Sequence, residues 1–144
     1  AAATADYPPT DPQIAFHLGR FIEQTRSIPA DAIIVRQNWL RAYEFTTDRG
    51  AAALNDYARA NDPFTRVGHQ QIAVEVSSVI RASNDSFRVA WTERHYENGQ
   101  LSTTERWTAI LTIVIQTPRD AERLRTNPLG IYVNAISWSR EMSQ

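Results

Sequence analysis

Apolar residues in the first sixty positions of the chain recur every three or four residues, the spacing of one face of a helix. Asp11-Pro12 can cap and open a helix in which Ile14, Leu18, Phe21 and Ile22 form a stripe, until Pro29 stops it. Asp31 starts a second helix with Val35, Trp39, Ala42 and Tyr43 on one face. A third begins at Thr47 or Asp48, carries Leu54, Tyr57 and Ala58 on one side, and ends before Asp62-Pro63.

Beyond Pro63 the period falls to two. Ile72, Val74 and Val76 alternate with Ala73, Glu75 and Ser77, and Phe87, Val89 and Trp91 alternate with Arg88, Ala90 and Thr92. Glu105, Trp107, Ala109, Leu111, Ile113 and Ile115 then share one face of a long strand. This alternation predicts half-buried antiparallel strands. Asn84-Asp85 turns between the first two. Asn98-Gly99 turns between the second and third, because a two-residue hairpin loop needs φ > 0 at both positions. Pairing Tyr96 with Gln100 around that turn sets Glu93 opposite Thr103 and Glu105 opposite Trp91. A short polar segment from Pro118 to Arg125 predicts one or two helical turns. Asn127-Pro128-Leu129-Gly130 then bends the chain into a last strand, Ile131 to Ser139. Helices first and strands afterwards predict an α+β fold, three helices on one face of a curved four-stranded antiparallel sheet.

Composition narrows what such a domain does. The 144 residues carry 15 basic and 16 acidic side chains, a net charge of −1, which lacks the positive excess that nucleic acid or an anionic membrane requires. Every basic residue is Arg; without Lys there is no Schiff-base or P-loop chemistry. Without Cys there are no disulfides, no thiolate catalysis and no Cys-based zinc site. The longest apolar run, Ala109 to Ile115, is far short of the ~20 residues that span a bilayer. The Ala- and Pro-rich start reads as a linker remnant over residues 1–10, ahead of one domain over 11–144.

The best local candidates for chemistry are Glu93 and His95, on one strand face, with Glu105 across the hairpin. Their position beyond the apolar stretch favours ordinary solvated side chains. The spacing of the three histidines suits no metal motif, Ser77, Ser78, Ser137 and Ser139 lack a nucleophile elbow, and no glycine-rich phosphate loop occurs. The residues therefore supply no catalytic set, no metal and no cofactor.

Trp39, Trp91 and Trp107 fall on apolar faces and belong to the core. The last strand differs: Tyr132, Ile136 and Trp138 alternate against Val133 and Ala135, so large apolar groups occupy both faces. Either helices wrap that strand or one face meets another chain, and an open edge would give a second route to self-association. The Asn127–Gly130 stretch is a shaped turn: Asn can satisfy a nearby backbone amide, Pro fixes φ, and Gly permits a positive φ.

Several segments together resemble the TrbF (VirB-eight-like) conjugal transfer proteins. They are Asp11-Pro12-Gln13-Ile14-Ala15, Val35 to Tyr43, Thr104-Glu105-Arg106-Trp107, Asn127 to Val133 and Ile136 to Glu141, in the order that family has. The resemblance implies a nuclear-transport-factor-like cone. It also implies the periplasmic domain of a bitopic inner-membrane protein in a Gram-negative bacterium, its membrane helix absent from this chain. Such a domain is a non-catalytic assembly scaffold of a type IV secretion system, which self-associates and contacts other channel components. The resemblance implicates the Asn127, Pro128, Leu129, Gly130 motif in those contacts, and Tyr132, Ile136 and Trp138 join it as candidate contact residues. The alternatives are a small-molecule-binding or enzymatic domain on the same cone, and a module that grips a partner helix in its cleft.

Overall fold

The computed structural model of the chain describes residues 8–142; most of the stretch read as linker lies outside them. Three helices come first: α1 (Asp11–Arg26), α2 (Ala32–Glu44) and α3 (Asp48–Ala60), followed by the single turn α4 (Pro63–Arg66). Then come β1 (Gln70–Arg81), β2 (Ser86–Glu97), β3 (Gln100–Ile115), the short α5 (Ala121–Thr126) and β4 (Ile131–Arg140). The strands form one antiparallel sheet in sequence order, covered on one face by helices. This is the α+β architecture that the pattern predicts, in the cone shape that the resemblance implies.

Local chemistry fixes the helix starts. Thr10 and Gln13 make a reciprocal capping box, with Thr10 N–H donating to Gln13 Oε1 at 2.9 Å. Asp31 caps α2 by accepting from the Ile33 N–H at 2.8 Å, and Thr47 caps α3 by accepting from Gly50. The stripe Ile14, Leu18, Phe21 and Ile22 of α1 is buried against Phe87, Val89, Trp91 and Leu111 of the sheet. Arg81 ties the start of α1 to the β1–β2 turn, binding the Asp11 carboxylate through two nitrogens while donating to the Ser83 and Asn84 carbonyls.

Three bulges shape the sheet. At Asn98 and Gly99 φ is +52° and +78°, the left-handed turn that was predicted. The strands nevertheless meet one residue later than Tyr96 with Gln100, because Glu97 pairs with Gln100. An irregularity beside Tyr96 then shifts the ladder again, so that Glu93 faces Glu105 and Trp91 faces Trp107. Two-residue periodicity cannot count bulge residues, which is why the predicted register fails.

The second bulge, on β4 at Asn134, accounts for the apolar residues on both faces of that strand. Ladder partners run Thr112 with Ala135 but Ile113 with Val133, so one residue is extra and the alternation inverts there. Ile131 and Val133 before it, and Ile136 and Trp138 after it, therefore all pack against the core. The strand is wrapped by its own domain. The third bulge lies on β1 between Val76 and Ser78, so both edge strands carry one.

Both edges are also covered at one point. Ile28, just after α1, exchanges two hydrogen bonds with Ile72 on β1, at 3.0 and 2.9 Å. Val133 on β4 donates to the Phe45 carbonyl at 2.7 Å and accepts from the Thr47 N–H at 3.0 Å. Bulges and local covers blunt strand addition. Close approach at β4 requires Gly50, since a Cβ there would sit 2.1 Å from the Val133 carbonyl oxygen.

His17 lies edge-on to Phe45, ring centroids 4.3 Å apart, with its Nε2 buried and without a partner. Burial, aided by the Arg41 charge, pushes its imidazole down to about 4.

Gly to Ala inside a helix ordinarily stabilises by about 1 kcal/mol. At position 50 the sign reverses, and Gly50→Ala should lower stability by about 1–3 kcal/mol in urea denaturation. The His17 effect follows from linkage. An unfolded histidine titrates near 6.5, so the unfolded chain takes up that proton first as pH falls. The stability attached to neutral His17 is complete above about pH 6.5 and drains away towards pH 4, by roughly 3 kcal/mol at most. In His17→Phe, urea midpoints measured across this window should lose that part of their pH slope.

Candidate functional site

Two places gather polar groups in an unusual way: the mouth of the cone and the turn before β4.

At the mouth, β2 and β3 bring Glu93, His95 and Glu105 together on the helix-covered face. The expectation that they are solvated is overturned: Glu93 is 1% exposed, Glu105 14% and His95 20%. Two features extend the core past the predicted apolar stretch. The first is an aromatic collar of Tyr57, Trp91, Trp107 and Trp138. Trp91 stacks on Trp107 at 6.2 Å, and Trp138 meets Tyr57 edge-on at 4.9 Å. The second is Arg26, in the last turn of α1 and 6% exposed.

The Arg26 guanidinium carbon lies 4.0 Å from the centre of the Trp107 ring and 4.9 Å from that of Trp138. Its Nε donates to Glu93 Oε2 at 2.7 Å. Trp91 Nε1 donates to the same oxygen at 2.8 Å, and His95 Nε2 lies 3.0 Å from Oε1. Burial alone would raise the Glu93 carboxyl, but the hydrogen bonds from His95, Arg26 and Trp91 and the Arg26 charge outweigh it. Glu93 is held below the usual carboxylate range. It is an ionised group with both oxygens engaged, suited to holding the mouth together and poorly placed to take a proton from a substrate.

Arg26 was missed in the sequence, although a signal existed. It stands four residues after Ile22, in register with the apolar stripe, where an unpaired charge would be costly. Beside the cluster an open cleft of about 390 Å³ is bordered by Arg26, Tyr57, Asn61 and Arg66.

The second place is the turn. Asn127 is buried and bonds Ile131 from both sides: its Nδ2 donates to the Ile131 carbonyl at 2.9 Å, and its Oδ1 accepts the Ile131 N–H at 3.3 Å. Gly130 has φ +67°, and a Cβ there would lie 2.0 Å from the Gln116 carbonyl oxygen. The Gly130 carbonyl accepts from the Gln116 N–H at 2.8 Å. Asn127 and Gly130 are thus internal, Leu129 is half-buried and Pro128 is exposed. Tyr132 lines a polar groove of about 570 Å³ with Arg49, Glu122 and Arg123. Ile136 and Trp138 belong with the core of the cone, away from that groove.

Against known proteins, residues 1–141 match the family model described as VirB8 protein. The conjugal transfer protein TrbF of Rhizobium radiobacter is 31% identical over 128 residues, covering 87% of this chain and 58% of that protein. The chain therefore spans somewhat over half of that relative's length. Among solved structures, VirB8 of Agrobacterium tumefaciens has a TM-score of 0.78 at 14% identity, over 96% of this chain and 99% of that one. TrwG of Bartonella birtlesii has a TM-score of 0.73 at 15% identity, over 90% and 91%. TraE, solved in complex with 4-(1H-pyrrol-1-yl)pyridine-2-carboxylic acid, has a TM-score of 0.76 at 17% identity, over 95% and 100%.

The buried ion pair sets a clear expectation. Arg26→Met leaves Glu93 charged and unpaired and should cost about 3–5 kcal/mol. Adding Glu93→Gln removes the stranded charge and should recover part of that loss. A double-mutant cycle by urea denaturation measures the coupling, and simple additivity of the two losses would refute it.

Proposed function

Because the chain belongs to the VirB8 family of type IV secretion proteins, we propose that it is the periplasmic domain of an inner-membrane conjugal transfer protein and acts as a non-catalytic scaffold of a DNA-transfer channel. The observation that carries this reading is the family match, which spans almost the whole fold. The filling of the cone supports it: Trp91, Phe21, Phe87, Leu18 and Leu111 occupy the interior where an enzyme on this fold would keep its substrate pocket. Glu93, the best acid of the mouth, is committed to Arg26, Trp91 and His95.

A scaffold works through its outside. Phe16 on α1 and Ile33 and Leu40 on α2 are exposed, as is Leu124 on α5. Apolar side chains of this size at the surface suit self-association and contact with other secretion components. In this reading Asn127 and Gly130 act by shaping the turn, while Pro128, Leu129 and Tyr132 present it to partners; Ile136 and Trp138 serve the core of the cone instead. Anchoring in a membrane raises local concentration, so contacts too weak to persist in dilute solution can operate there. No described helix is long and apolar enough to cross a membrane.

Deleting the gene from a donor strain should abolish conjugal transfer, and the full-length gene supplied in trans should restore it. Complementation with Pro128→Ala/Tyr132→Ala should restore it by tenfold less or worse while the variant accumulates normally on immunoblots. A deletion strain that still transfers at the wild-type frequency would overturn the reading. Light scattering across a concentration series should show the chain's average mass rising with concentration.

A further inference from the structure

The mouth of the cone sets two carboxylates against one imidazole. Glu93 and Glu105 are direct partners on adjacent strands, and like charges in that position repel. Arg26 answers Glu93. Glu105 has the Trp107 N–H at 3.0 Å and Arg140 at 3.8 Å, but that arginine side chain is 55% exposed and its attraction is screened. Between the two carboxylates stands His95, whose Nε2 is 3.0 Å from Glu93 Oε1 and 3.5 Å from Glu105 Oε1. One buried and one partly exposed carboxylate thus face the same imidazole nitrogen.

We propose that Glu93, His95 and Glu105 form a binding site for a divalent transition-metal ion of the zinc class. Metal–ligand bonds of about 2.0–2.2 Å place neighbouring ligand atoms roughly 3.0 Å apart in an octahedral shell and about 3.4 Å apart in a tetrahedral one. The two distances from His95 Nε2 match these edges, and the three donor atoms all lie within 4.8 Å of one another. One imidazole with two carboxylates suits zinc, cobalt or nickel, whereas calcium needs six or more oxygens. The supporting shell is built: Arg26 and Trp91 hold Glu93 Oε2, the ion replaces the direct contact between Oε1 and His95 Nε2, and Trp107 orients Glu105 by donating to its Oε1. The cleft beside Glu93 and His95 has room for water ligands. On binding, the ion takes the place of any proton on His95 Nε2, which leaves to solvent, and the ring stays neutral with its proton on Nδ1.

The test is a calorimetric titration of the metal-free 144-residue chain with Zn²⁺, repeated with Co²⁺ while its visible absorption is recorded. One equivalent of each should saturate the chain, and the cobalt band should report a four- or five-coordinate ion. His95→Ala and Glu105→Gln should each weaken binding more than about tenfold, at least the loss that removing a supporting residue causes. His69→Ala, at an exposed histidine away from the cluster, should change nothing. Circular dichroism checks that the variants fold, and Glu105→Gln, a near-isosteric change, keeps the test decisive where His95→Ala lowers stability. Absence of saturable uptake, or equal affinity in wild type and Glu105→Gln, would overturn the proposal.

Discussion

The structure depends on a single arginine lowered into a ring of aromatic faces. Removing two opposite charges from water carries a penalty of several kcal/mol each, and their attraction offsets it only when hydrogen bonds satisfy what remains. Arg26 and Glu93 meet that condition because five elements converge on them: the end of α1, the last turn of α3 through Tyr57, and β2, β3 and β4 through one indole each. Buried pairs of this kind generally add little net stability compared with a hydrophobic filling of the same volume. The effect here is on specificity, since only one placement of α1 along the sheet lets the guanidinium reach its carboxylate while Asp11 reaches Arg81 at the other end.

The sheet has a related problem at its margins. An antiparallel meander of four strands leaves two edges, each a ready template for unwanted pairing. Here each edge strand carries a bulge and one backbone cover, from Ile28 on one side and from Phe45 and Thr47 on the other. The same local covers fix where α1 and α2 end. Both margins are thereby made poor templates for an added strand.

Most of the architecture was legible in the chain because its signals are local. Caps at Asp31 and Thr47, proline stops and the Asn98-Gly99 turn mark elements through chemistry that acts over a few residues. The register and the placement of Glu93 were not legible, for reasons of range. A bulge adds one residue without changing composition, so the inversion at Asn134 made Trp138 look as if it faced away from Val133. The burial of Glu93 depends on an arginine 67 residues earlier, and no alternation pattern records that distance. The family resemblance supplied the fold and the family, while the physics of the residues supplied the buried cluster only once the coordinates joined its parts.

The connection between β3 and β4 is fastened at Gln116 by Gly130 and at Asn127 by Ile131, while α5 between these points buries none of its residues. Such a stretch is a replaceable label on a fixed post. Its composition can drift through generations with little penalty to folding, while the frame on either side is inherited unchanged.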